Sequence, residues 1–395
     1  MKLSQRITHL TGGGSDGWDV FYRARRMISE GHVISELTIG EHDIRTHPTI
    51  LDAMDLSARQ GNTGYAVVPG SDLLRDTVAA RIQARTGQKT SRNNVLITPG
   101  GQSALFAAHV AVCDPGDVGL YLDPYYATYP GTIRGAGATA RAIQTTAEDA
   151  FQPRAQQIDA AADGAVSLLI NSPNNPTGVV YSRETLNGIA GVCRGRDLWL
   201  ISDEVYDTQV WEGEHISPRT LPGMAERTLV VGSMSKSHAM TGSRCGWVVG
   251  PEEVIAHLIN LATHTTYGVP GFIQDAASFA LSAGHDLEEE IAAPFRRRRA
   301  LAVEILATQN TIGLVPAQGA MYLMLDLRAA GLSGEAFANA LLDTHAIAVM
   351  PGESFGAAAA GHVRVAMTID DDRFAAALRT ICNFAAALAE SHAAE

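Results

Sequence analysis

Between about residues 72 and 285 the chain alternates short apolar runs with stretches of helical length, a rhythm that few folds accept. The candidate strands are 95–98, 118–122, 139–143, 166–170, 198–202, 228–232 and 246–249. In "SDLLRDTVAARIQART" (71–86), just ahead of the first of them, Ser71 stands where an N-cap belongs, and Leu74, Val78 and Ile82 recur at helical spacing. Such alternation predicts an α/β domain whose mainly parallel sheet is covered by helices on both faces.

Beyond about Leu287 the pattern changes. A long helical stretch is followed by strand-like "MYLMLDL", "AIAVM" and "HVRVAMT", and then by a helix with Phe374, Leu378, Ile381, Ala385 and Leu388 on one face. This reads as a smaller α+β domain, and 395 residues are enough for two cores.

An apolar content of 46% with 18% charged residues is that of a folded chain, and a net charge of −12 gives nucleic-acid binding no general support. The one basic run, "FRRRRA" (295–300), spreads its arginines around a helix and is read as a solvated face. Cys113, Cys193, Cys245 and Cys382 show no paired spacing, which predicts reduced thiols in the cytoplasm. No signal-like core opens the sequence and no run of eighteen apolar residues occurs, so neither export nor a membrane-spanning helix is expected. No metal-ligand spacing is found.

Lysine is scarce. Only Lys2, Lys89 and Lys236 occur among 30 basic residues, so a position that keeps lysine invites a reason that arginine cannot meet. An amine that loses its proton and attacks a carbonyl is such a reason. Lys236 lies in "SMSK", directly after the 228–232 run. "NSPNNPTG" (171–178) and "SDEVY" (202–206) likewise follow predicted strands, and open α/β sheets bind ligands beyond those carboxyl ends. The convergent amine, carboxylate, amide and phenol are what a pyridine aldehyde needs: Lys236 for a Schiff base, Asp203 for the ring nitrogen, Asn175 and Tyr206 for the ring oxygen. Ser233, Ser235, Arg244 and the glycines of "TPGGQSALF" (98–106) would receive a phosphate.

With these residues the sequence resembles the fold-type I, pyridoxal-5′-phosphate-dependent enzymes of the class I/II aminotransferase family. "LTIGEHD", "GNTGYAVVPGSDLLRDTVA", "DPYYATYP", "NSPNNPTG", "SDEVYD", "SMSKSHAMTGSRCGW", "PAQGAMY" and "HVRVAMT" occur in the family's order across nearly the whole chain. The resemblance implies a large cofactor domain (48–285) with a mostly parallel seven-stranded sheet, and a discontinuous small domain (1–47 and 286–395). It implies that Lys236 forms the internal aldimine and moves the Cα proton, that Tyr126 stacks on the ring, and that Gly101, Gln102, Ser233 and Arg244 hold the phosphate. Arg364 and Gly40 would receive the substrate α-carboxylate, with Asn175 also among the substrate-binding residues. Tyr65 would reach the phosphate of a second subunit, which makes the enzyme a homodimer. Amino-acid and 2-oxo-acid substrates follow, exchanged by a ping-pong mechanism.

Two departures stand out. Ser243 replaces a tryptophan and is expected to widen the pocket, and Gln102 stands where aspartate-preferring members carry lysine, which argues against acidic side chains. Trp18 in "GGGSDGW" could border the substrate side chain. A lyase expelling a β- or γ-substituent shares every cofactor motif and is the alternative. Ser233-x-x-Lys236 also matches serine acylases, but no K-T-G element exists in a chain with three lysines. A DNA-binding regulator on the same domain would need a helix-turn-helix, and none precedes residue 37.

Overall fold

The computed structural model describes residues 1–14, 17–331 and 333–394. Among them, twelve strands form two sheets. β1 (Ser35–Leu37) comes first, then β2 (Val95–Thr98), β3 (Val118–Asp123), β4 (Thr139–Gln144), β5 (Ala165–Asn171), β6 (Trp199–Asp203), β7 (Thr228–Ser233) and β8 (Gly246–Val249). β9 (Gly313–Leu314), β10 (Tyr322–Asp326), β11 (Ile347–Pro351) and β12 (His362–Ala366) close the series.

The large sheet has seven strands in the order β2-β8-β7-β6-β5-β3-β4, and only β8 runs against its neighbours. β2 and β7 are buried along their whole length, as strands covered on both faces must be. One covering helix, Asp72–Thr86, starts where Ser71 Oγ accepts from Leu74 N at 3.3 Å. It buries Leu74, Val78 and Ile82 and stops at Gly87, whose φ of 69° suits the left-handed turn that ends a helix.

The small sheet runs β1-β11-β12-β10-β9, with β1 parallel to β11 and the other pairs antiparallel. β1 and β9 were not legible as strands; they are three and two residues long. The last helix, Asp371–Ala394, lays Phe374, Leu378, Ile381 and Ala385 into the core beside this sheet.

One expectation fails. The arginine run is not a uniformly solvated face: Arg298 is 4% exposed and donates to Asp43 Oδ2 at 2.7 Å, Asp371 Oδ1 at 2.8 Å and the Met367 carbonyl at 2.9 Å. Arg299 pairs with Glu212, while Arg296 and Arg297 pair with Glu289 and Asp371 nearer the surface. One helix presents four directions, and the inward one found two partly exposed carboxylates and a backbone carbonyl as acceptors. All four cysteines are free and buried. Among the described residues no helix is long and apolar enough to cross a membrane.

Candidate active site

Parallel strands put their carboxyl ends on one edge, and the register aligns Asn171 with Asp203, and Asp203 with Val231. Beyond that edge lies a cavity of about 380 Å³ lined by Gly40, Gly101, Gln102, Tyr126, Asn175, Asp203, Tyr206, Ser233, Ser235, Lys236, Arg244 and Arg364. Every residue singled out for cofactor or substrate is therefore in one place, except Tyr65.

Lys236 sits on a single helical turn (Met234–Ser237) whose start is capped by Ser233 Oγ accepting from Ser235 N at 3.1 Å. Its amine donates to the Gly40 carbonyl. Burial holds the amine below the usual lysine range; Arg364 and Arg244 push the same way, against Tyr322 and Glu41. Asp203 is 4% exposed, and burial raises its carboxyl to about 6 although Tyr129 Oη donates to it at 2.7 Å and Val205 N at 3.3 Å. Among the described residues no cationic side chain is ion-paired with Asp203.

Tyr206 Oη lies 3.0 Å from Tyr322 Oη, and burial lifts the Tyr206 phenol well above its ordinary range. Asn175 is set from the end of β5: Asn171 Oδ1 accepts from Asn175 N at 2.7 Å, while Asn171 Nδ2 donates to the Asp203 carbonyl at 2.9 Å. Arg364 is 1% exposed, lies 4.3 Å from the Tyr322 and Phe355 ring centres, and donates to Asn175 Oδ1 and the Thr38 carbonyl. Tyr126 meets Tyr129 edge-on at 5.7 Å.

The anion end is built from backbone. Gly101 opens the helix Gly101–Val112, and a Cβ on Gly100 would fall 2.5 Å from Arg244 Nη2. With φ of +81° as well, Gly100 is required there. Ser233 Oγ donates to Ser235 Oγ at 2.9 Å, so both hydroxyls stand beside that helix start.

A domain model for aminotransferase class I and II matches residues 34–381. The chain belongs to that family. This aminotransferase is 40% identical to an arginine–pyruvate transaminase of Pseudomonas aeruginosa over 98% of this chain and 99% of that protein. It is 34% identical to an aspartate/prephenate aminotransferase of Thermus thermophilus, over 90% and 92%. The T. thermophilus aspartate aminotransferase solved with maleate superposes with a TM-score of 0.90 at 32% identity, covering 97% of this chain and 99% of that one. The enzyme is accordingly a pyridoxal-phosphate-dependent aminotransferase acting on amino acids and 2-oxo acids, as its family is. The donor set suits that group: a buried carboxylate without an ion-pair partner among the described residues, a half-buried amine of lowered basicity, and a glycine cradle at a helix start beside an arginine.

Other residues fall elsewhere. Tyr65 is 95% exposed, touches Tyr267 ring to ring at 5.4 Å and does not line the cavity. Ser243 is not among the lining residues either, although Thr241 and Arg244 on either side of it are. Gln102 bridges Thr132 Oγ1 at 2.8 Å and Thr128 Oγ1 at 3.1 Å. Trp18 lines both this cavity and a larger one of about 1080 Å³ next to it; Ser15 and Asp16 of the same segment lie outside the described residues. Sequence reasoning missed Tyr129, Asn171 and Tyr322, although each stands within or beside a quoted motif; only their partners across the fold mark them out.

Proposed function

We propose that this aminotransferase holds its cofactor and moves the substrate proton with the residues gathered at the cavity, and that it works as a homodimer on a cationic amino donor with pyruvate as acceptor. The observation that carries the reading is the convergence of Lys236, Asp203 and Arg364 on one cavity of about 380 Å³.

When bound, pyridoxal phosphate supplies a reactive aldehyde and an electron-accepting ring. Asp203 would face a protonated ring nitrogen, which a buried carboxylate favours strongly. Asn175 and Tyr206 would hydrogen-bond the ring oxygen, and Tyr126 would cover the ring face. The backbone N–H groups at Gly101 and Gln102, the Ser233 and Ser235 hydroxyls and Arg244 would hold the phosphate. Arg364, steadied between two aromatic rings, offers a planar fork to the α-carboxylate, with Gly40 leaving room alongside. Lys236 Nζ, already less basic than a surface amine, takes the proton from the donor's Cα and returns one on the other side of the exchange.

The donor class draws support from the arginine–pyruvate transaminase relative. Local chemistry agrees, since Gln102 is a neutral amide engaged with two threonines and Glu41 lines the cavity. The dimer draws support from Tyr65, which is 95% exposed beside a 65% exposed Val67, as a residue serving another subunit would be in one chain alone. The pairing of β1 with β11 supports a small domain of 1–47 and 286–395 against a large one of 48–285. Four unpaired cysteines fit a reducing cytoplasm.

The experiment is an absorbance record of the purified holoenzyme with single amino acids added and no oxo acid present. L-Arginine is expected to bleach the cofactor band and pyruvate to restore it. Faster bleaching by L-aspartate would overturn the donor class, and ammonia release without bleaching would overturn transamination itself. A mixture of Tyr65→Ala and Lys236→Ala chains that regains no activity above either parent, together with a monomeric sedimentation coefficient, would overturn the shared-site dimer.

A further inference from the structure

We propose that His42 is a positioning residue for Lys236, fixing the peptide that carries the amine; this rests on the reading of Lys236 as the catalytic base. Lys236 belongs to a helix of four residues, and the carbonyls at the end of so short a turn have no partner within it. The Lys236 carbonyl is satisfied instead from outside. His42 Nε2 lies 3.0 Å from it, and Gln209 Nε2 donates to it at 3.1 Å.

Because a carbonyl only accepts, His42 Nε2 must carry the proton. The ring is held neutral: burial, and then the nearby lysine charge, push its pKa down to about 3. Its other nitrogen, Nδ1, is buried without a hydrogen-bond partner among the described residues. An edge-on contact with Phe295 at 5.4 Å fixes the ring plane. An unsatisfied buried nitrogen costs stability. Leucine or phenylalanine would fill the same space without that cost, so the hydrogen bond to Lys236 is the feature specific to histidine.

The surrounding stretch works in the same direction. Gly40 accepts from Lys236 Nζ, and Thr46 Oγ1 donates to the Ala239 carbonyl at 2.7 Å, where Ala239 holds a φ of +51°. Residues 40–46 thus grip residues 236–239 at three points, and Asp43 between them is anchored by Arg298. Tilting the Lys236 peptide would swing the whole side chain, and a displacement of about 1 Å at a reacting group can cost on the order of 10²-fold in rate.

The test compares His42→Leu, which removes the donor and keeps apolar bulk, with His42→Gln, whose amide nitrogen reaches where Nε2 lies. Holoenzymes are compared in the first half-reaction with L-arginine and with L-alanine, alongside the pH titration of the resting cofactor band and the melting temperature. His42→Leu is expected to slow the half-reaction about 10- to 100-fold at saturating donor, with half-saturation changed less than about threefold and the titration midpoint moved. His42→Gln is expected to recover to within about threefold of wild type. Gln209→Leu removes the second donor to the same carbonyl and must show the same split, which keeps the claim testable if His42→Leu does not fold. A His42→Leu rate within about twofold of wild type, or equal losses in His42→Leu and His42→Gln, overturns the positioning role alone. A wild-type enzyme with no lysine-bound cofactor would instead remove the functional reading beneath it.

Discussion

Arg364 donates to Asn175 Oδ1 at 2.8 Å, and this bond joins β12 of the small sheet to the turn that follows β5 of the large one. The pair is buried on both sides, so the guanidinium is already oriented and desolvated before a substrate arrives. Burial lowers its basicity somewhat, yet an arginine stays charged. Arg364→Lys should therefore lower kcat/KM for amino-acid donors by about 10²-fold, mainly through KM, because a single ammonium cannot hold Asn175 and a carboxylate in one plane. Steady-state kinetics check this, with a simple amine lacking the carboxylate as control; its slow turnover should be unchanged. Equal loss with both would place Arg364 away from the carboxylate.

Lys236→Ala should keep the fold and lose covalent attachment of the cofactor. The amine donates to the Gly40 carbonyl at the edge of the cavity, so turnover should fall by at least about 10³-fold. Borohydride treatment followed by mass measurement reads attachment directly, and exogenous small amines should restore part of the proton transfer. Turnover within about tenfold of wild type would remove Lys236 from its role.

Asp203→Asn separates stability from catalysis. Burial raises the native carboxyl from 3.8 to about 6, so the native apoprotein holds an extra proton between those values and loses stability as pH rises through them. Above pH 6 the ionised carboxylate costs on the order of 3 kcal/mol, which asparagine would not incur. The variant apoprotein should be more stable than wild type at pH 8, and by about half that margin at pH 5, while the holoenzyme loses turnover by at least about 10²-fold. Thermal melts of apoprotein at the two pH values check the sign. A wild type that is the more stable of the two at pH 8 would contradict the buried, unpaired carboxylate.

Gly40→Ala should damage the site without touching its chemistry. A Cβ there would fall 1.8 Å from Tyr322 Oη, so the phenol must leave Tyr206, to which it now lies at 3.0 Å. The same shift would move the carbonyl that accepts from Lys236. A loss of about 1–3 kcal/mol in stability and at least about tenfold in kcat is expected, read by denaturant titration and by half-reaction rates. Wild-type values for both would mean that residue 40 and Tyr322 can separate freely.

The sequence determined the strand–helix alternation, the helix cap at Ser71 and the placement of Asn175, Asp203 and Lys236 at strand ends, because each is a short-range matter of periodicity and turn chemistry. Knowledge of a family's motif order extended that reading to Arg364 and Gly40. Only the tertiary structure decided that Arg298 turns inward to Asp43 and Asp371, that Tyr129 bonds Asp203, that Tyr322 meets Tyr206 and that His42 grips Lys236. Those partners lie from about seventy to more than two hundred and fifty residues apart, and no local periodicity records them. A buried polar group must find its partner wherever packing brings one within reach, and that is settled by the whole fold at once.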